Sequence, residues 1–163
     1  MPDRKTIARA RSDRREGKAP STQAGEFVRE EMEHVRGGKH GARSTKQAIA
    51  IGLSKARRAG VRLPAPRKGK ASARTRASAR RALPRGGSRK SPSRTRSRAV
   101  SRALRREGHR AASPPALARQ AHRAAMKRSA SERSRSARMG ARKRSPAERS
   151  RAAREAARTR KHK

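Results

Sequence analysis

Five histidines, at positions 34, 40, 109, 122 and 162, and the run Gly37-Gly-Lys-His-Gly41 are the residues whose types suit a reaction centre or a small ligand. The histidines have no metal-ligand spacing with one another or with carboxylates, and His34 and His40 straddle a glycine-rich turn. They read as solvated side chains. The glycine run is the right composition to cradle a phosphate, yet it lacks the preceding strand and the Gly-Lys-Ser/Thr ending that orient a nucleotide, so it reads as a turn. With no cysteine there is no thiolate nucleophile, thiolate metal site or disulfide. The sequence therefore predicts no enzyme, no metal and no cofactor.

Cation is what the chain has in quantity: 50 Lys or Arg stand against 11 Asp or Glu, a net charge of +39. Each basic side chain that meets a phosphate releases condensed counterion, a gain that needs no folded surface. The expected phosphate contacts are Arg43, Lys46, Arg57, Arg58 and Arg62, then Arg67, Lys68 and Lys70, then Arg89, Lys90, Arg94, Arg96 and Arg98. One Phe and no Tyr or Trp leave nothing on which to stack splayed bases, which favours duplex DNA over single strands. Ser91-Pro92-Ser93-Arg94 resembles the Ser-Pro-basic turn that lies in the minor groove. Pro66-Arg-Lys-Gly-Lys70 and Pro84-Arg-Gly-Gly87 lack the Gly-Arg-Pro centre of a true groove hook, so no sequence-specific reading is expected.

Charge also divides the chain. Residues 1–63 carry 16 basic and 7 acidic residues and residues 64–163 carry 34 and 4, with no acid between His34 and Arg106. The boundary is Leu63-Pro-Ala-Pro66. Large apolar residues (Leu, Val, Ile, Phe) number only 13 in 163 and gather mostly between Phe27 and Leu63. That is far below the share a globular core of this length needs.

Two helices are legible in that stretch. The first, about 22–36, spaces Ala24, Phe27, Val28, Met32 and Val35 by threes and fours and stops at Gly37-Gly38. Its Glu26, Glu30 and Glu31 are assigned to the positive end of the helix dipole, and Arg36 to the negative end. The second, about 45–59, opens on the capping pattern Ser44-x-x-Gln47 and closes at Gly60. Ala48, Ile49, Gly52, Leu53, Ala56 and Ala59 form its apolar arc, with Lys46, Ser54, Arg57 and Arg58 opposite. Gly52 would let the first helix come close, giving a helical hairpin over 22–63 covered at one end by Val61 and Leu63. Read as a helix-turn-helix, its second helix would carry Lys46, Arg57 and Arg58 into the major groove. A hairpin this small is expected to fold on binding or to self-associate.

The fold class expected is thus mostly intrinsically disordered with a small all-α element. Residues 1–21 form a basic disordered arm, 22–63 the hairpin, and 64–163 a disordered Arg/Ala/Ser-rich tail in which like charges repel and helices are transient. Helix-start signals nevertheless recur in the tail, at Ser91-Pro92, Ser113-Pro114, Ser129-x-x-Glu132 and Ser145-Pro-Ala-Glu148. No run of ten apolar residues exists, and Asp3, Asp13 and Glu16 interrupt the start, so neither a membrane span nor a secretion signal is expected. The expected location is the cytoplasm.

The block Lys46-Gln-Ala-Ile-Ala-Ile-Gly-Leu-Ser-Lys-Ala-Arg-Arg-Ala-Gly60, preceded by Glu26-Phe-Val-Arg-Glu-Glu-Met, resembles a family of short basic bacterial proteins of unassigned function. The likeness covers roughly residues 26–63. It implies a bacterial source and no established activity. The tail is similar in composition to bacterial histone-H1-like proteins that compact DNA, though its cations are mostly Arg where those tails are Lys-rich. Together these imply a histone-like, nucleoid-associated protein that binds DNA by charge neutralisation. An RNA- or ribosome-associated protein, or an adaptor with a protein-binding hairpin and a DNA-anchoring tail, are the alternatives.

Overall fold

A computed structural model of the chain describes residues 2–69, 71–82, 93–142 and 144–161. Its helices are α1 (Arg4–Arg15), α2 (Pro20–Arg36), α3 (Thr45–Arg58), α4 (Ala73–Ala82), α5 (Arg94–Arg105), α6 (Pro114–Met126), α7 (Ala130–Arg142) and α8 (Pro146–Lys161), with a 3-10 turn at Arg110–Ala112. Helix accounts for 74% of the described residues, and no strand occurs among them. The expectation of a mostly disordered protein is corrected.

Local chemistry explains the correction. Ala and Arg are among the strongest helix formers, and the start signals in the tail set the helix ends. In α7 the Glu132 amide donates to Ser129 Oγ while the Ser129 amide donates to Glu132 Oε2, at 3.2 and 3.1 Å. In α8 the Glu148 amide donates to Ser145 Oγ at 3.3 Å, and the Ser145 amide returns the bond at 2.8 Å. Both are reciprocal capping boxes that satisfy two orphan amides each. Ser91-Pro92 lies outside the described residues.

The chain forms two compact units, Met1–Gln120 and Ala121–Lys163. In the first, α2 is the centre: α1 packs on one side of it and α3 on another. The residues expected to form a disordered arm instead build α1, because Thr6, Ile7 and Ala10 line one face, with Thr6 and Ala10 buried. Ala10, Ala24, Phe27, Ala56 and Val61 make one apolar cluster, with Ile7, Leu53 and Leu63 packed against it.

Gly52 sits where α2 and α3 touch. A Cβ there would lie 2.7 Å from Val28 Cα, so only glycine permits this approach. Helix α3 ends as its sequence suggests. Gly60 takes φ +91°, its amide donates to Arg57 O, and the Val61 amide donates to Ala56 O, while Val61 and Ala56 share the cluster. At the other end Gln47 donates its amide to Ser44 Oγ, but its side-chain Oε1 accepts from the Arg43 amide, one residue before the cap.

The first unit does not stop at Leu63. The segment 104–112 closes over the α2–α3 loop: the Gly41 amide donates to Leu104 O at 2.9 Å and the Ala42 amide to Gly108 O at 3.0 Å. Thr45 Oγ1 donates to Ala111 O at 2.6 Å, and Arg36 Nε to Ala112 O at 2.8 Å. Ala112, fully buried, joins Met32, Val35, Ala42 and Ala48 in a second cluster flanked by Val28, Ile49, Ala111 and Leu117. A sparse core is thus split into two small clusters, each sealed by a segment distant in sequence.

Candidate nucleic-acid interface

The fold sorts the basic residues by environment. Arg43 and Lys46 stand exposed around the start of α3, and Arg58 and Arg62 stand exposed around its end. Arg67 and Lys68 are exposed in the connection to α4, and Arg94, Arg96 and Arg98 are exposed along α5. None of these nine forms an ion pair with a carboxylate among the described residues. Lys70, Arg89 and Lys90 lie outside the described residues, as does Pro84-Arg-Gly-Gly87.

Arg57 is a correction. It is 7% exposed, its Nε donates to Leu63 O and its terminal nitrogen to Pro64 O, each at 3.2 Å. Burial lowers its pKa from the ordinary guanidinium value. The chain folds back after Gly60 and lays its carbonyls on this guanidinium, so Arg57 holds the turn from a buried position instead of standing on the exposed face. A groove-binding helix loses one of its three expected contacts.

The acids explain why so much cation is left over. Glu26 pairs with Arg9 and Arg29 at 3.7 Å, and Lys18 pairs with Asp13 and Glu16 at 2.8 and 2.9 Å. Glu16 is pushed below the usual carboxylate range, chiefly by its hydrogen bond from Lys18. Glu30 and Glu31 are buried in the middle of α2 instead of sitting at its positive end, since the helix already starts at Pro20. Their countercharge is Lys55 of α3, 3.3 Å from Glu30 Oε1 and 2.6 Å from Glu31 Oε2. Most carboxylate of the first 33 residues is buried or locally paired, Glu33 being the exposed exception, and cation is displayed outside.

For His34 and His40 the same cluster overturns the reading of the histidines as solvated, while His109 and His122 are exposed. His34 Nε2 lies 3.5 Å from Asp3 Oδ2 and its Nδ1 lies 3.9 Å from Glu30 Oε1, while His40 Nε2 lies 3.2 Å from Glu31 Oε1. Both imidazoles are largely covered, and their rings meet edge to face. A signal existed in the sequence. Glu31 is four residues after Phe27 and four before Val35, so it occupies the apolar arc of α2, and a charge placed there needs partners.

No helix among the described residues is long and apolar enough to cross a membrane. No curated protein and no solved structure matches the chain. Residues 4–69, spanning α1 to α3 and the Lys46–Gly60 block, are similar to the model of a family of unknown function (DUF6496).

Proposed function

We propose that the chain binds duplex DNA without sequence preference and compacts it by neutralising phosphate charge, as a histone-like protein of the bacterial nucleoid. The observation that carries this reading is the separation of charge: seven of the eleven carboxylates lie at or before Glu33, all but Glu33 of these being buried or paired, and cations stand exposed along the helices. Helix α5 carries Arg94, Arg96, Arg98, Arg102 and Arg105. Twelve helical residues span about 18 Å, a length over which duplex DNA presents about ten phosphates. Arg94, Arg98, Arg102 and Arg105 share one face of the helix, where phosphates come within reach while the helix stays folded, and Arg96 stands on the opposite face. A structured carrier also loses less conformational entropy on binding than a disordered tail would. Among nucleic acids, the scarcity of aromatic rings favours the duplex.

A salt-dependent competition among duplex DNA, single-stranded DNA and RNA for the full-length protein tests this. The expected result is preference for the duplex, with log K falling by about 0.9 per phosphate contacted for each decade of salt. At two phosphates per base pair, a charge of 39 neutralises at most about 20 base pairs. Preference for RNA at equal salt would replace this reading with an RNA- or ribosome-associated one. Salt-insensitive binding would remove the mechanism altogether.

A further inference from the structure

Glu31, His34 and His40 each present one donor atom, and the three atoms lie within 4.8 Å of one another. Glu31 and His34 are one turn apart on α2. His40 comes from the loop that segment 104–112 closes over, where the neighbouring Gly41 and Ala42 amides are bonded to Leu104 and Gly108 carbonyls. Two imidazoles and one carboxylate suit a borderline divalent ion such as Zn2+.

Three observations separate this cluster from an ordinary ion pair. The first is the tautomer of His40. Its Nδ1 lies 3.0 Å from Gly41 O, and a carbonyl only accepts, so Nδ1 carries a proton and Nε2 is the atom turned to Glu31 Oε1 at 3.2 Å. A backbone carbonyl on one ring nitrogen is the usual means of presenting the other to a metal. The second is alignment. Both oxygens of Glu31 are fully buried, yet neither accepts a hydrogen bond of good geometry, despite Lys55 at 2.6 Å from Oε2 and His40 at 3.2 Å from Oε1. An ion shared by two donors sits off the line joining them, and ligand bonds of about 2.0–2.1 Å in tetrahedral geometry place the donors about 3.3 Å apart. The third is charge. Asp3, Glu30 and Glu31 converge on two ammoniums, Lys55 Nζ, which answers both glutamates and lies 3.5 Å from His34 Nδ1, and Lys39 Nζ, 3.0 Å from His34 Nε2. Carboxylate still exceeds ammonium by one, a local surplus of negative charge in a protein of net charge +39, and a metal ion takes the place of one lysine at His34.

We propose that Glu31, His34 and His40 bind one divalent transition-metal ion of the Zn2+ class, with Lys55 bonded from outside to the second oxygen of Glu31. The ion pins the α2–α3 loop to α2. His34 closes in by a small movement, since the donors now span up to 4.8 Å. The site is independent of the DNA reading, and each stands if the other fails.

The test uses full-length protein freed of nucleic acid in high salt and of metal by chelator. Titration with Co2+ and then Zn2+ near neutral pH should show one saturable equivalent, visible ligand-field bands for Co2+, and a raised melting temperature. His40→Ala should weaken binding by about 100-fold or more, and His122→Ala, exposed on α6, should leave it unchanged. If His40→Ala does not fold, ring-nitrogen spectra of the wild-type protein decide instead. Zn2+ must shift the nitrogens of His34 and His40 and leave those of His109 and His122. Absence of saturable binding, equal affinity in folded His40→Ala, or shifts confined to other histidines would overturn the proposal and leave an imidazole–carboxylate network closed by protons.

Discussion

The Lys55 ammonium on α3 lies 2.6 Å from Oε2 of Glu31 on α2, a carboxylate with no exposed surface. Phe27 and Val35, one turn to either side of Glu31, are equally buried. The two helices are therefore joined at a charged point inside an apolar seam, and the pairing that brings Lys55 to Glu31 is favoured over registers that would leave the buried carboxylate alone.

Replacing Lys55 by Met keeps the stem and removes the charge, stranding Glu30 and Glu31 in the interior. The expected cost is about 3 to 5 kcal/mol, the range for breaking one side of a buried pair. It is read as a lower urea midpoint at unchanged slope. Adding Glu31→Gln to that variant should recover part of the loss. Wild-type stability in Lys55→Met would mean the pair is not buried in solution.

Two glycine substitutions should act in opposite directions. Gly52→Ala drives a methyl toward Val28 Cα at 2.7 Å and should cost about 1 to 3 kcal/mol. Gly25→Ala, exposed in α2 with nothing within 4 Å, should stabilise by about 0.5 to 1 kcal/mol. Thermal unfolding of both variants checks the signs together.

Buried and displayed arginines should separate in a binding assay. Arg94, Arg96 and Arg98 changed together to Gln should reduce the salt slope of DNA binding by up to about 2.7, at 0.9 per contact, with stability unchanged. Arg57→Gln should leave the slope alone and lower stability, because it releases the Leu63 and Pro64 carbonyls. The reverse pattern would show that Arg57 reaches phosphate after all.

Acid should loosen α8. The Ser145 amide and then its hydroxyl bond to Glu148, holding that carboxyl below its ordinary pKa. A lowered carboxyl pKa contributes stability above the unfolded value and loses it as pH falls through the folded one. Helicity followed by circular dichroism should therefore decline as pH drops through and below the usual glutamate range. Glu148→Gln should remove that part of the decline, and an identical acid profile in the variant would refute the assignment.

Much of the hairpin was legible because its signals are local. Apolar spacing, Gly52 on the contact arc and the caps at Ser44 and Gly60 all lie within one or two turns of the residues they govern. The tail's start signals at Ser113, Ser129 and Ser145 were equally legible. What misled was their weighing, since repulsion among arginines was placed above Ala and Arg helix propensity and the capping boxes. The closure by 104–112 was hidden for a different reason. Two of its bonds run from the Gly41 and Ala42 amides to backbone carbonyls, which carry no side-chain signature. Arg57 misled because a helical wheel assigns it to the polar face and does not know that the chain returns after Gly60. For the buried cluster, the clue is Glu31 between Phe27 and Val35, and a helix-dipole account of the same glutamate hides its need for partners.

The closure of the hairpin by residues so far downstream also fixes an order of events at the ribosome. Thr45 and its acceptor Ala111 are 66 positions apart, about 3 to 13 seconds of translation. Throughout that interval Val35, Ala42 and Ala48 have emerged and the alanine that will roof them has not. The nascent chain therefore passes through a stage in which its second apolar cluster is open, and that stage leaves it exposed to proteases and chaperones.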